Sequence, residues 1–171
     1  DRYVSASAYF FVLAGPWRHG NGSIRDDFAW GKRGWCRMEL AANLLSPTPK
    51  PMVLAKSVTS IIANPPGGKA SNNLWEANLL VGEGDFSVEA DRQKLGSHLL
   101  DIIVARKALA LADGDLFYYR ILHTMAAHFL QGTGCELQPE SFDQWMATMK
   151  FSSVRDGSAK GLTPLFYAAI G

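Results

Sequence analysis

Two residues spaced four apart, Trp35 and Glu39, carry the most specific chemistry in this 171-residue chain. On a helix they share one face. An indole offers a flat apolar wall, and a carboxylate offers an acceptor that stabilises nearby positive charge. Such a pair could hold a ribosyl ring while the acid faces charge developing at the anomeric carbon, and partial burial would raise the acid's pKa. The plainer reading makes Trp35 a core or edge anchor and Glu39 a solvated helix residue or an ion-pair partner of nearby arginines. Cys36 lies between them. Arg33, Arg37 and a helix start would favour its thiolate, but no histidine stands close in sequence, so a buried, inert cysteine is expected. Arg18, His19, Arg25, Lys32, Arg33 and Arg37 form a basic stretch suited to a phosphate-bearing ligand or an acidic partner, partly offset by Asp26 and Asp27. Trp17, Trp35 and Arg37 are the ligand-binding candidates.

Other patterns carry less. His123 and His128 are five apart and do not share a helix face, and no ligand set suits zinc, so no metal or cofactor is expected. Gly82-Glu83-Gly84 lacks the third glycine and following helix of a dinucleotide loop. Pro66-Gly67-Gly68-Lys69-Ala70 lacks phosphate-loop spacing.

The elements that must position these residues can be read from periodicity. Ala8–Ala14 is a short aromatic and β-branched run closed by Gly15-Pro16, which predicts a buried strand. A long loop is expected from Gly15 to Gly34. Trp35–Leu45 places Met38, Ala41, Ala42 and Leu45 on one helical face, and Ser46-Pro47-Thr48-Pro49 ends it. Pro51–Val58 reads as a second strand. Strand, helix, strand implies a parallel pair with a right-handed crossover. Asn64–Asn73 reads as a linker and Asn78–Val88 as short extended pieces.

The second half is helical. Ala90–Ala112 turns Leu95, Leu99, Ile102, Ile103 and Leu109 inward, with Gly96 as a weak point. Asp113-Gly114-Asp115 breaks that helix and caps the next, Leu116–Leu130, so the two should be antiparallel neighbours. Pro139 is expected to start a third helix with Phe142, Trp145, Met146 and Met149 in one stripe.

Two resemblances add to this reading. The stretch Ala8–Val58, with its apolar strand FFVLA, the motif Trp35-Cys36-Arg37-Met38-Glu39-Leu40 and a following strand, resembles part of a TIR domain of the plant type. The resemblance implies an NAD glycohydrolase glutamate at Glu39, with NAD as substrate. It covers about a third of the chain. The departures are the absence of the family's first two strands and of its closing loop, and a longer connection before Trp35. Gly161-Leu162-Thr163-Pro164-Leu165-Phe166-Tyr167-Ala168-Ala169 resembles the opening of an ankyrin repeat, with Phe166 where that family has His. Thr163 would cap and Pro164 would start its first helix. One such repeat cannot bury its own face.

The fold class expected is α/β: a partial parallel, TIR-like sheet over residues 1–63, a linker over 64–88, a helical hairpin region over 89–151, and an ankyrin-type start over 152–171. The chain opens on Asp1 and is expected to be a piece of a longer protein. With 47% apolar residues, 17 Lys plus Arg and 16 Asp plus Glu, it has a globular composition and no bulk field for nucleic acid or an acidic membrane. Two cysteines exclude a disulfide scaffold. No run reaches the ~20 apolar residues of a membrane span. The two resemblances together imply a protein-interaction or signalling scaffold whose partners are other proteins, with NAD nucleosidase activity as the alternative, and a cytoplasmic location is expected.

Overall fold

A computed structural model describes residues 6–64, 80–157 and 161–170. Strand β1 (Phe10–Leu13) pairs in parallel with β4 (Met52–Ser57), in the register Phe10 to Met52 and Leu13 to Ala55. Between them lie β2 (Trp17–Arg18), β3 (Ile24–Arg25), α1 (Asp27–Lys32) and α2 (Gly34–Leu44). The expected strand–helix–strand crossover is therefore present.

Three expectations around it need correction. The long loop from Gly15 to Gly34 is ordered as a β2–β3 hairpin followed by α1. Gly22 supplies the left-handed turn (φ 84°), and Asp26 caps α1 by accepting from the Ala29 amide at 2.8 Å. The sheet is mixed, because β5 (Ser60–Asn64) returns antiparallel to β4 and gives the order β1-β4-β5. The described part of Asn78–Val88 contains no extended strand pair. Val81–Glu83 is a single 3-10 turn, and Asp85 makes one bridge to Arg33.

That turn sits at a close approach of backbones. A Cβ on Gly84 would collide with Gly34, and one on Gly82 would collide with Gln131 and Gly132. The two glycines thus serve packing. The Pro/Gly-rich stretch 65–73 lies outside the described residues.

Helices α3 (Ala90–Ala112) and α4 (Leu116–Leu130) have the expected bounds. Gly114 takes the left-handed conformation (φ 73°) and Asp115 accepts from the Tyr118 amide at 3.0 Å. Helix α5 (Phe142–Thr148) starts later than Pro139. Ser141 and Gln144 close a reciprocal capping box there, which satisfies two helix-start donors better than a proline can. Of its expected stripe, Trp145 is half-buried, Met146 and Met149 are buried, and Phe142 is exposed. Helix α6 begins at Pro164, with the Thr163 carbonyl accepting from the Phe166 amide at 3.0 Å.

Three apolar clusters hold these elements. One packs Phe10, Val12 and Ala14 under Leu40 of α2. The largest joins Met38, Ala41 and Leu45 to Val81, Leu99, Ile103, Leu122 and Phe129, so α2 packs against the sheet on one side and against α3 and α4 on the other. The third gathers Met146, Met149, Phe151 and Tyr167 at the end of the helical half. Arg120 is buried in contact with this third cluster. Its guanidinium donates to the Met149 carbonyl at 2.7 Å and the Lys150 carbonyl at 2.9 Å, and lies 3.7 Å from the Phe151 ring centroid.

Candidate functional site

Helix α2 is buried on almost every side: Gly34, Cys36, Arg37, Met38, Leu40, Ala41, Ala42 and Asn43 are all inside. Trp35 and Glu39 are its exposed residues, so the pair does share a solvent face. The Trp35 indole N–H donates to the Asp91 carboxylate at 3.3 Å, which sets the indole beside the start of α3. Arg37 does not join this face. It points inward, donating to the Gly31 carbonyl at 2.7 Å and the Leu80 carbonyl at 2.9 Å, and so ties α1 and the 3-10 turn to α2. Burial lowers its pKa against the pull of Asp85 and Glu83. Trp17 is exposed on the separate β2–β3 hairpin. Cys36 is buried, and that burial pushes its thiol pKa up despite the opposing charge of Arg33. An inert thiol is the physical consequence.

The sheet presents a second candidate surface. Phe10 and Val12 face α2, so the alternate residues of β1 face away. Tyr9 is 53% exposed, Phe11 61% and Leu13 78%, and their register partners continue that face with Val53 and Ala55 on β4 and Ile61 (63% exposed) and Ala63 on β5. A parallel strand pair is normally covered on both faces. Here one face is apolar and open among the described residues. The edge is open as well. The Phe10 and Ala14 amides donate to the Pro51 and Ala55 carbonyls of the β4 segment. In a parallel ladder the amides of Phe11 and Leu13 then point to the other side, where no described strand pairs with them.

A third surface was not anticipated from sequence. Leu100, Ile103, Val104 and Lys107 recur at i, i+3, i+4 and i+7 on α3 and line a cleft of about 420 Å³ with His123 and Ala126 of α4, Leu137, Gln138 and Glu140 of the segment before α5, and Trp145 of α5. Along its polar side runs a chain of contacts. Lys107 Nζ lies 2.6 Å from His123 Nδ1, His123 Nε2 lies 2.9 Å from Glu140 Oε2, and the Thr148 hydroxyl donates to Glu140 Oε1 at 3.3 Å. The Tyr119 ring stacks on the imidazole. Burial lowers the pKa of Lys107 against the attraction of Glu140. Burial, then the Lys107 charge, lowers that of His123 against its contact with Glu140. No short motif signals these residues, because 16 and 17 positions separate the members. The helical hairpin and the return of the chain over it bring them together.

Fold and surfaces together define a mixed α/β chain with a small, partly parallel sheet and six helices among the described residues. No family model, curated protein or solved structure matches it. No helix among the described residues is long and apolar enough to cross a membrane.

Proposed function

We propose that this chain is a protein-interaction module that docks a partner protein on the open face and edge of its sheet. The observation that carries the reading is the row Tyr9, Phe11 and Leu13, which exposes large apolar side chains on a strand whose outer edge is unpaired among the described residues. Covering a side chain of this kind contributes about 1.5–3 kcal/mol when burial is complete. A partner strand laid along β1 would add main-chain hydrogen bonds, the mode by which sheet edges commonly take up extended segments. Helix α6 supports the same reading. Leu165 is 77% exposed, and Ala168 and Ala169 are also exposed, although they are the residues by which the ankyrin-like motif would pack against a neighbour. On this reading the chain belongs to a TIR-like, ankyrin-containing scaffold.

The test is a photo-reactive amino acid placed at position 11 of the full chain in cells, with the same group at the exposed Leu111 as reference. The reading expects a discrete protein adduct from position 11 that is absent from position 111 and lost when Leu13→Asp is added. Equal yields at both positions, or an adduct indifferent to Leu13→Asp, would remove it.

A second reading, NAD glycohydrolase with Glu39 as the catalytic carboxylate, rests on the indole and acid sharing the outward face of α2. NAD consumption by the chain and by Glu39→Ala decides it. Turnover lost in the variant supports the enzyme, and equal rates in the two proteins remove it.

A further inference from the structure

The cleft between α3, α4 and α5 combines apolar walls with a half-buried amine that has an unusual partner. Leu100, Val104, Leu137 and Trp145 supply the walls, and Lys107 supplies the amine. A lysine paired to a carboxylate keeps its proton. Lys107 instead meets a ring nitrogen at 2.6 Å. Glu140 accepts from His123 Nε2 at 2.9 Å, which fixes the tautomer and leaves Nδ1 free to accept from the amine. Nucleophile to base and base to orienting acid is the arrangement by which weak nucleophiles are activated. The Thr148 hydroxyl holds the second Glu140 oxygen, so the acid is itself positioned.

We propose that this cleft binds a small apolar aldehyde or ketone, which the Lys107 amine attacks to form an imine, with His123 as the acceptor of the amine's proton. Lys107 starts as an ammonium and passes one proton to His123 Nδ1. The freed lone pair forms a C–N bond to the carbonyl carbon, and the nitrogen's second proton moves to the carbonyl oxygen. The imidazolium then returns its proton to that hydroxyl, which leaves as water as the C=N bond closes. One ammonium and one carbonyl compound give one protonated imine and one water, with no oxidant or reductant. Burial favours the uncharged amine on which the C–N bond formation depends. The apolar walls favour a hydrocarbon or aromatic substituent over a charged one.

The experiment is reductive trapping on the full chain, using benzaldehyde with cyanoborohydride and reading each lysine by peptide mapping. Lys94, 70% exposed, is the internal reference. Lys107 is expected to be modified severalfold faster than Lys94, because burial favours its free amine and His123 accepts its proton. His123→Phe keeps the ring stack on Tyr119 and is expected to slow Lys107 about tenfold or more while leaving Lys94 unchanged, as loss of a general base requires. His123→Gln repeats that test should the first variant fail to fold. With each rate taken relative to Lys94, glyoxylate, small and anionic, should trap Lys107 less well than benzaldehyde does. Three results would each overturn the proposal: modification of Lys107 no faster than Lys94, a rate indifferent to both His123 variants, or a preference for glyoxylate.

Discussion

Replacing Arg120 with methionine tests how the helical half is held together. The side chain is 5% exposed, and its two hydrogen bonds go to backbone carbonyls at the end of α5, Met149 at 2.7 Å and Lys150 at 2.9 Å. Lys150 sits there in a left-handed conformation (φ 57°), so the chain reverses where the guanidinium grips it. Arg120→Met keeps the aliphatic bulk but removes two charge-assisted hydrogen bonds, each worth about 1.5–3 kcal/mol. It also removes the cation from the face of Phe151, worth about 2 kcal/mol when desolvated. Against this, the variant no longer buries a charge, which returns a few kcal/mol. The net expectation is a loss of about 2–4 kcal/mol. Urea denaturation of the full chain, followed by circular dichroism, measures it as a lower midpoint at unchanged slope. Limited proteolysis should cut first around 151–157, since Phe151 and Tyr167 share the ring cluster that Arg120 touches. A variant within about 0.5 kcal/mol of the parent would refute the view that this cation organises the third cluster.

Three further outcomes follow from the same physics. In the folded chain, burial and Lys107 hold His123 below its ordinary pKa of 6.5. The unfolded chain therefore takes up a proton that the folded one refuses, and stability falls as pH drops through 6.5 toward the lower folded value. Denaturation at about pH 7.5 and about pH 5.5 should show that slope, and His123→Phe should flatten it. Gly82→Ala places a methyl against the Gln131–Gly132 backbone and should cost about 1–3 kcal/mol, read as a lower thermal midpoint. Glu39→Ala alters an exposed position and should change stability by no more than about 0.5 kcal/mol, so lost NAD turnover in that variant would report on chemistry rather than folding.

The elements legible in the sequence are those whose signals are local. The bounds of α3 and α4 were set by Gly114 and Asp115, which act within one turn of the residues they cap. The crossover β1–α2–β4 was legible because apolar runs, a helical stripe and a proline-rich stop lie in order. What escaped depends on contacts formed at a distance. The six residues of α1 are too few to show a period, and only the Asp26 cap announces them. Strand β5 is a short apolar run directly after β4 that becomes a strand by pairing with it. Val81 is buried in a 3-10 turn because Gly82 and Gly84 let neighbouring backbones come close, so its apolar neighbours read as a strand only in isolation. The candidate sites divide the same way. Trp35 and Glu39 stand four apart within one short motif, and they do share an exposed face. Arg37 reads from its sequence neighbours as a ligand-binding cation, yet two backbone carbonyls hold it inside. Lys107, His123 and Glu140 meet only through tertiary structure.

Amide hydrogen exchange along β1, measured on the isolated chain at a concentration where it is monomeric, addresses the docking surface most directly. The account predicts slow exchange at Phe10 and Ala14, whose amides are bonded to the β4 segment, and fast exchange at Phe11 and Leu13, whose amides face the unpaired edge. Phe11 and Leu13 protected as strongly as their neighbours would mean that the chain covers this edge itself, and the surface proposed for a partner would not be available.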